Sequence, residues 1–163
     1  MLWDDETGAW LDYDIINNKK RPYFVPTNLS PLWMRCFDET KSSHIADRVL
    51  HYINQTKLDD YPGGVPNTLL HTGEQWDWPN VWPPMQHILI VGLDNLNDDR
   101  TKAMASNWAE RWVQSNYMAY KETDAMYEKV INNSTTPQIV CSNDLCLFFL
   151  VFGNRSWRSW WWR

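Results

Sequence analysis

The sequence is short of basic charge, of cysteine and of long apolar runs, and each shortage removes a class of function. Fifteen Lys and Arg face twenty Asp and Glu over 163 residues, a formal net charge of −5. A chain that grips nucleic acid needs a basic face to displace condensed counterions, so no nucleic-acid partner is expected. The nearest approach to a membrane span is 145–152 (LCLFFLVF), far shorter than the ~20 apolar residues that crossing a bilayer requires. No basic segment leads into an apolar one at the start, so no secretory leader is read there. Cys36, Cys141 and Cys146 are odd in number and lack CxxC spacing, which fits buried thiols better than a disulfide framework. His44, His51, His71 and His87 are scattered. None forms the i, i+4 pair that a helix offers a metal, and no metal site is expected.

What the chain does have is tryptophan, twelve in all. With 44% hydrophobic and 21% charged residues, it can bury a core at a length suited to one domain. Asn28, Asn54, Asn132, Asn133 and Asn154 head Asn-x-Ser/Thr triplets. Such triplets accept glycans in secreted proteins, and they lean towards an extracellular parent.

The pattern along the chain is all-α. Residues 3–14 (WDDETGAWLDYD) suit a short irregular loop or hairpin, and Pro22, Pro26 and Pro31 exclude a long helix after it. With Asp38 or Thr40 as cap, a helix is predicted to about Gln55, its stripe formed by Ile45, Val49, Leu50 and Ile53. Residues 61–66 (YPGGVP) stop it. Pro83 and Pro84 open a second helix through 85–96 (MQHILIVGLDNL), apolar nearly all round and so expected to be buried. A long amphipathic helix over 101–120 follows, with Met104, Trp108, Trp112, Ser115 and Ala119 near one face, and then a short one from Glu122 to about Val130. Beyond residue 137 the pattern changes. The run 137–152 is β-branched and aromatic, and 153–163 (GNRSWRSWWWR) carries four tryptophans. A core strand and foreign sequence both fit this tail.

The best candidate site is the loop 73–84 (GEQWDWPNVWPP), where three tryptophans, two carboxylates and a glutamine share a proline-stiffened segment. Sugars present apolar C–H faces, on which indoles stack, and a rim of hydroxyls, which carboxylates and amides bond. The same tryptophans would equally serve to plug a helix–loop junction. A glycosidase needs two carboxyl groups flanking the scissile bond. Asp4, Asp5, Asp12, Asp14, Glu74, Asp77 and Glu128 are available. Spacing alone selects no pair among them, and solvated or capping roles fit each.

Residues 75–84 closely resemble the second signature of the trehalases, glycoside hydrolases of family 37. Leu2 to Asp14 resembles that family's LWDDExGxWxDYD loop, Gly64-Val65-Pro66 its GG-[IV]-P turn, and Ala125 to Lys129 its MYEKYD segment. The likeness runs from about residue 2 to residue 129. It implies part of an (α/α)6 barrel over residues 1–130, with 131–163 as a divergent tail. It also implies α,α-trehalose as the partner, cleaved to two glucose molecules with inversion by one Asp acid and one Glu base, without cofactor or metal. In that reading Glu128 is the general base, and Gln75, Trp76, Asp77 and Trp82 bind substrate, Trp76 as the stacking face.

The departures carry equal weight. The family's first signature, its arginine-bearing loops and its ESGWD segment with the general acid are not among the 163 residues. The glycine-rich GGGGEY lid does not follow Glu128, and Val130 stands where the family has Tyr. The isolated chain is therefore expected to be inactive, and an open slice of the barrel to be of low stability. A non-catalytic carbohydrate-binding or truncated form is the alternative.

Overall fold

The computed structural model describes residues 2–132. About half of these are helical. Two small antiparallel ladders open the chain: β1 (Trp3–Asp4) on β2 (Ala9–Trp10), then β3 (Tyr13–Asp14) on β4 (Lys19–Lys20). Four α-helices follow: α1 (Ser30–Trp33), α2 (Ser42–Gln55), α3 (Pro83–Asn95) and α4 (Asp99–Thr123). A third ladder joins β5 (Asn80–Val81), just ahead of α3, to β6 (Val130–Ile131), just after α4. The tail expected to be strand or foreign sequence, 137–152 and 153–163, lies outside the described residues, as do Cys141 and Cys146.

The helix boundaries follow local chemistry. Asp38 accepts from Thr40 N–H at 3.1 Å and starts a 3-10 turn that runs into α2. Pro83 and Pro84 occupy the first turn of α3, where a missing N–H costs nothing. The Asp98 carboxylate accepts from Arg100 N–H at 3.0 Å, capping α4. The predicted stripe of α4 is the buried one at Trp108, Trp112, Ser115 and Ala119, with Met104 only partly buried beside it.

Three expectations need correction. The helix predicted over 122–130 does not form. Asp124 takes a left-handed conformation (φ 54°), its N–H closing on Tyr120 O at 2.7 Å, and the chain leaves extended to reach β6. Second, α3 is not buried all round: Gln86, Leu89, Gly92 and Leu93 are buried, whereas Ile88, Ile90 and Val91 are half-buried. Third, Cys36 is exposed.

The core lies between α1, α2, α3 and α4. Leu29, Leu32, Val49, Ile53, Leu89 and Leu93 are each at most 1% exposed, and burying one such side chain stabilises by roughly 1.5–3 kcal/mol. Gly92 lets α1 approach α3 closely, since a Cβ there would stand 3.1 Å from Leu32 Cβ. Trp108, 2% exposed, joins the core and donates its indole N–H to Asp59 at 2.7 Å. Arg111 on the next turn donates to Asp59 O (2.6 Å) and Tyr61 O (3.1 Å). Together they fasten the segment after α2 onto α4.

The first ladder is fastened to α2. Arg48 donates to Asp5 O at 2.6 Å and to Glu6 O, while His44 meets the Asp5 carboxylate at 2.6 Å. This contact leaves no room at Gly8, whose φ is +84° and where a Cβ would stand 2.1 Å from Arg48 O. Gly8→Ala is expected to cost about 2–4 kcal/mol, combining left-handed strain with a backbone clash. Gly73→Ala is the control, with φ +87° but nothing within 4 Å; it carries the strain alone, roughly 1–2 kcal/mol. Urea midpoints of the two variants check this, and equal losses would overturn the clash argument.

Candidate functional site

The loop 74–82 is two linked turns. Asp77 N–H donates to Glu74 O and Asn80 N–H to Asp77 O, each at 3.0 Å, and Trp78 N–H donates to Leu70 O at 3.1 Å. The Asn80 side chain, 7% exposed, donates to Asp77 O at 3.0 Å and pins the second turn. The loop is thereby fixed by backbone bonds and one buried amide, independently of its aromatic contacts.

The tryptophans then divide the two roles that the composition left open. Trp82 is 6% exposed and donates its indole N–H to Gln75 O at 2.9 Å, plugging the junction between loop and α3. Trp76 stacks on Trp82 with centroids 4.2 Å apart and planes 15° apart, yet is 45% exposed. It is a flat apolar platform braced from behind, a geometry on which an apolar ring face can stack. Trp78 packs on His71 at 4.0 Å. Gln75 is exposed, and its backbone carbonyl accepts the Trp82 indole N–H.

Asp77 is half-buried and accepts from the hydroxyls of Thr72 and Thr68, the latter at 2.7 Å. These bonds, Thr72 first, hold its carboxyl below the usual carboxylate range. An acid so held keeps its proton poorly and is unsuited to protonating a leaving group near neutral pH. Asp4, Asp5 and Asp14 serve the N-terminal ladders. Asp4 is paired with Lys20 at 2.5 Å and lowered to about 2, chiefly by that bond. Asp14 caps the β3–β4 turn through Asn17 and Ile16, and Asp5 holds His44 and Trp3.

Glu128 reaches the loop through a long-range pairing. β6 sets Ile131 opposite Asn80 and Val130 opposite Val81. Val81 and Val130 pack with Trp112 of α4 in a small cluster of their own. One residue earlier, Lys129 places its ammonium 5.5 Å from the Trp82 ring centroid, a cation–π contact. Glu128, exposed, directly precedes Lys129 on this strap. Gln75, Trp76, Asp77 and Trp82 share one loop, and the strap that carries Glu128 meets that loop at β5 and, through Lys129, at Trp82.

Three buried amides were missed by the sequence reading as structural parts of the site: Asn80, Gln86 and Asn132. Gln86 donates to Val65 O at 2.6 Å and accepts from Val65 N–H at 2.9 Å. Asn132 donates to Gly64 O at 2.7 Å and accepts from Gly63 N–H at 3.1 Å. A glutamine inside the apolar run of α3 was the available signal, because a buried amide requires partners. Asn132 had been read only as a glycan acceptor. Its amide, like that of Asn28, is committed to hydrogen bonds in the interior, whereas Asn54 is exposed.

An open polar cleft of about 700 Å³ lies at the far end of α3 and α4, lined in part by Arg35, Glu39, Asp94 and Lys102. Its cations are engaged by its own walls, Arg35 with Asn95 at 2.9 Å and Lys102 with Asn97 at 2.5 Å. Among the described residues no helix is long and apolar enough to cross a membrane.

The lowered Asp77 yields a pH dependence with a definite sign. Ionised Asp77 stabilises the loop above the ordinary carboxylate range, and this is lost as pH falls through its depressed folded value. Thr72→Val should move Asp77 back towards that range, so acid loosens the loop at a higher pH. A carboxyl NMR titration checks this, and an unmoved Asp77 midpoint would refute it.

The chain is similar to known proteins over most of its length. A family model described as Trehalase matches residues 1–137. Trehalase of Apis mellifera is 50% identical over 129 residues, covering 79% of this chain and 21% of the relative. Trehalase of Homo sapiens is 40% identical over 138 residues, covering 84% and 23%. The chain therefore spans between a fifth and a quarter of the length of these relatives. Among solved structures, neutral trehalase Nth1 from Saccharomyces cerevisiae superposes with a TM-score of 0.62 at 22% identity, over 80% of this chain and 24% of that one.

Proposed function

The chain belongs to the trehalase family, and on that premise we propose that residues 1–130 form one wall of a trehalose-cleaving site in a partial (α/α)6 barrel. A divergent tail is read at 131–163, although the family match reaches residue 137 and Ile131 and Asn132 serve the fold. The observation that supports the reading is the β5–β6 register together with Lys129 over the Trp82 ring, the residue that directly follows Glu128.

In this reading one glucose ring of trehalose lies on the open face of Trp76, and Gln75 and Asp77 bond its hydroxyls. Trp82 braces Trp76 from behind. Glu128 is the general base: it takes a proton from a water that attacks the anomeric carbon from the face opposite the leaving glucose, which inverts the configuration. Inverting enzymes hold their two carboxyl groups roughly 6.5–9.5 Å apart to admit that water. The partner of Glu128 must be a protonated acid, and Asp77, held ionised by two hydroxyls, does not qualify. The acid-bearing segment of the family is not among these 163 residues.

General acid catalysis contributes about 10²–10⁴-fold, or roughly 3–5 kcal/mol of barrier. The isolated chain should therefore bind trehalose without hydrolysing it. A second reading, a carbohydrate-binding module, rests on the same exposed and braced Trp76 and describes the isolated chain alone.

Coupled glucose assays at millimolar trehalose should give equal rates for the chain and Glu128→Gln. Release above that control would overturn the inactivity. Trp76→Ala should weaken trehalose binding about tenfold by calorimetry, the worth of one lost stacking face. Unchanged affinity would remove Trp76 from the sugar site.

A further inference from the structure

We propose that Asn132 is a positioning residue for Glu128, latching the strap 125–132 into a socket made by the turn 63–65. The proposal rests on the assignment of Glu128 to the sugar site, and its mechanical half can be tested without sugar.

Between the end of α4 and Asn132 the chain crosses eight residues, of which only Val130 and Ile131 pair with β5. A two-residue ladder holds little by itself, and a slip of one residue would turn every side chain of the strap to the opposite face. Val130 packing on Trp112 and Lys129 over Trp82 support the register, and Asn132 adds a directional polar anchor at the end of the strap. Asn132 is 1% exposed and makes three hydrogen bonds to two different segments. Its side chain pairs with Gly64 O (2.7 Å) and Gly63 N–H (3.1 Å), and its own N–H donates to Pro79 O at 2.9 Å.

The socket is rigid because it is gripped from the other side. Gln86 of α3 pairs with both backbone groups of Val65, the next residue along. Two amides from distant elements thus satisfy three consecutive residues of one turn. Gly64 has φ +118°, and a Cβ there would meet Gln86 Oε1 at 2.9 Å and Trp112 at 3.1 Å. The turn can neither shift towards α3 nor admit a larger residue. Asn132 seats on a fixed surface, and through Pro79 it also touches the loop that carries Trp76. Glu128, four residues earlier, is thereby held at a set height along the loop while Asn132 itself stays clear of the sugar.

The test uses the full chain and Asn132→Ala, with Asn132→Asp as the near-isosteric variant to read should the alanine variant not fold. Limited trypsin digestion with mass mapping compares cleavage after Lys129, on the strap, with cleavage after Lys121, on α4. Release of the latch should speed the Lys129 cut roughly tenfold or more, the worth of the lost hydrogen bonds, and leave Lys121 unchanged. An unchanged Lys129 rate, or parallel acceleration at both sites, would overturn the latch. The second arm measures trehalose affinity by calorimetry in a cycle with Glu128→Gln. Positioning requires that the Asn132 variant weaken binding in the Glu128 background and have no effect once Glu128 is Gln. Equal losses in both backgrounds would make Asn132 merely structural. Absence of trehalose binding by the unmodified chain would sink the sugar reading, while the trypsin arm still decides the latch.

Discussion

The structure depends on finding partners for the backbone of one buried turn. Residues 63–65 carry N–H and C=O groups into a place where neither helix nor sheet can pair them, and an unpaired buried polar group costs as much as a lost hydrogen bond or more. Two side-chain amides, Gln86 and Asn132, do what a neighbouring strand would otherwise do. Each comes from an element that bears on the site: Gln86 from the helix that the tryptophan loop enters, Asn132 from the end of the Glu128 strap. Solving the local hydrogen-bond problem therefore also fixes the relative placement of loop and strap.

The second organising element is α4. Its buried face touches three things in succession along its length. Ala105 and Trp108 join the main core, Trp108 and Arg111 hold the Asp59–Tyr61 segment, and Trp112 packs the valines of β5 and β6. One amphipathic stripe thus links core stability to site geometry. The two tryptophans on it suit that task, since an indole offers a large apolar face together with one N–H to anchor.

Much of this was legible in the sequence because it is set by neighbours along the chain. Pro83-Pro84, the Asp98 cap and the 3.6-residue stripe of α4 gave their helices, and the composition of 73–84 marked the site loop. The failures share a cause. Residues 125–129 read as helix because alanine, methionine, glutamate and lysine are good helix formers, but Asp124 ends α4 in a left-handed cap and Val130 has a strand partner far back in the chain. The amide socket was invisible for the same reason, since Asn132 and Gly63 become neighbours only on folding. Within the loop, composition could not say that Trp82 would be the brace and Trp76 the platform. That assignment follows from the indole N–H of Trp82 bonding Gln75 O, which turns its ring inward.

The β5–β6 ladder also has a consequence in time. Its strands lie about fifty residues apart, and the intervening chain is almost entirely the α3–α4 hairpin. Helices form within about a microsecond, whereas distant strands must wait until the chain between them has shortened. Once α3 and α4 have docked, the separation collapses and the strap needs only to fold back over a surface already in place. On this ordering the strap joins the fold late, on a scaffold already formed by α3 and α4.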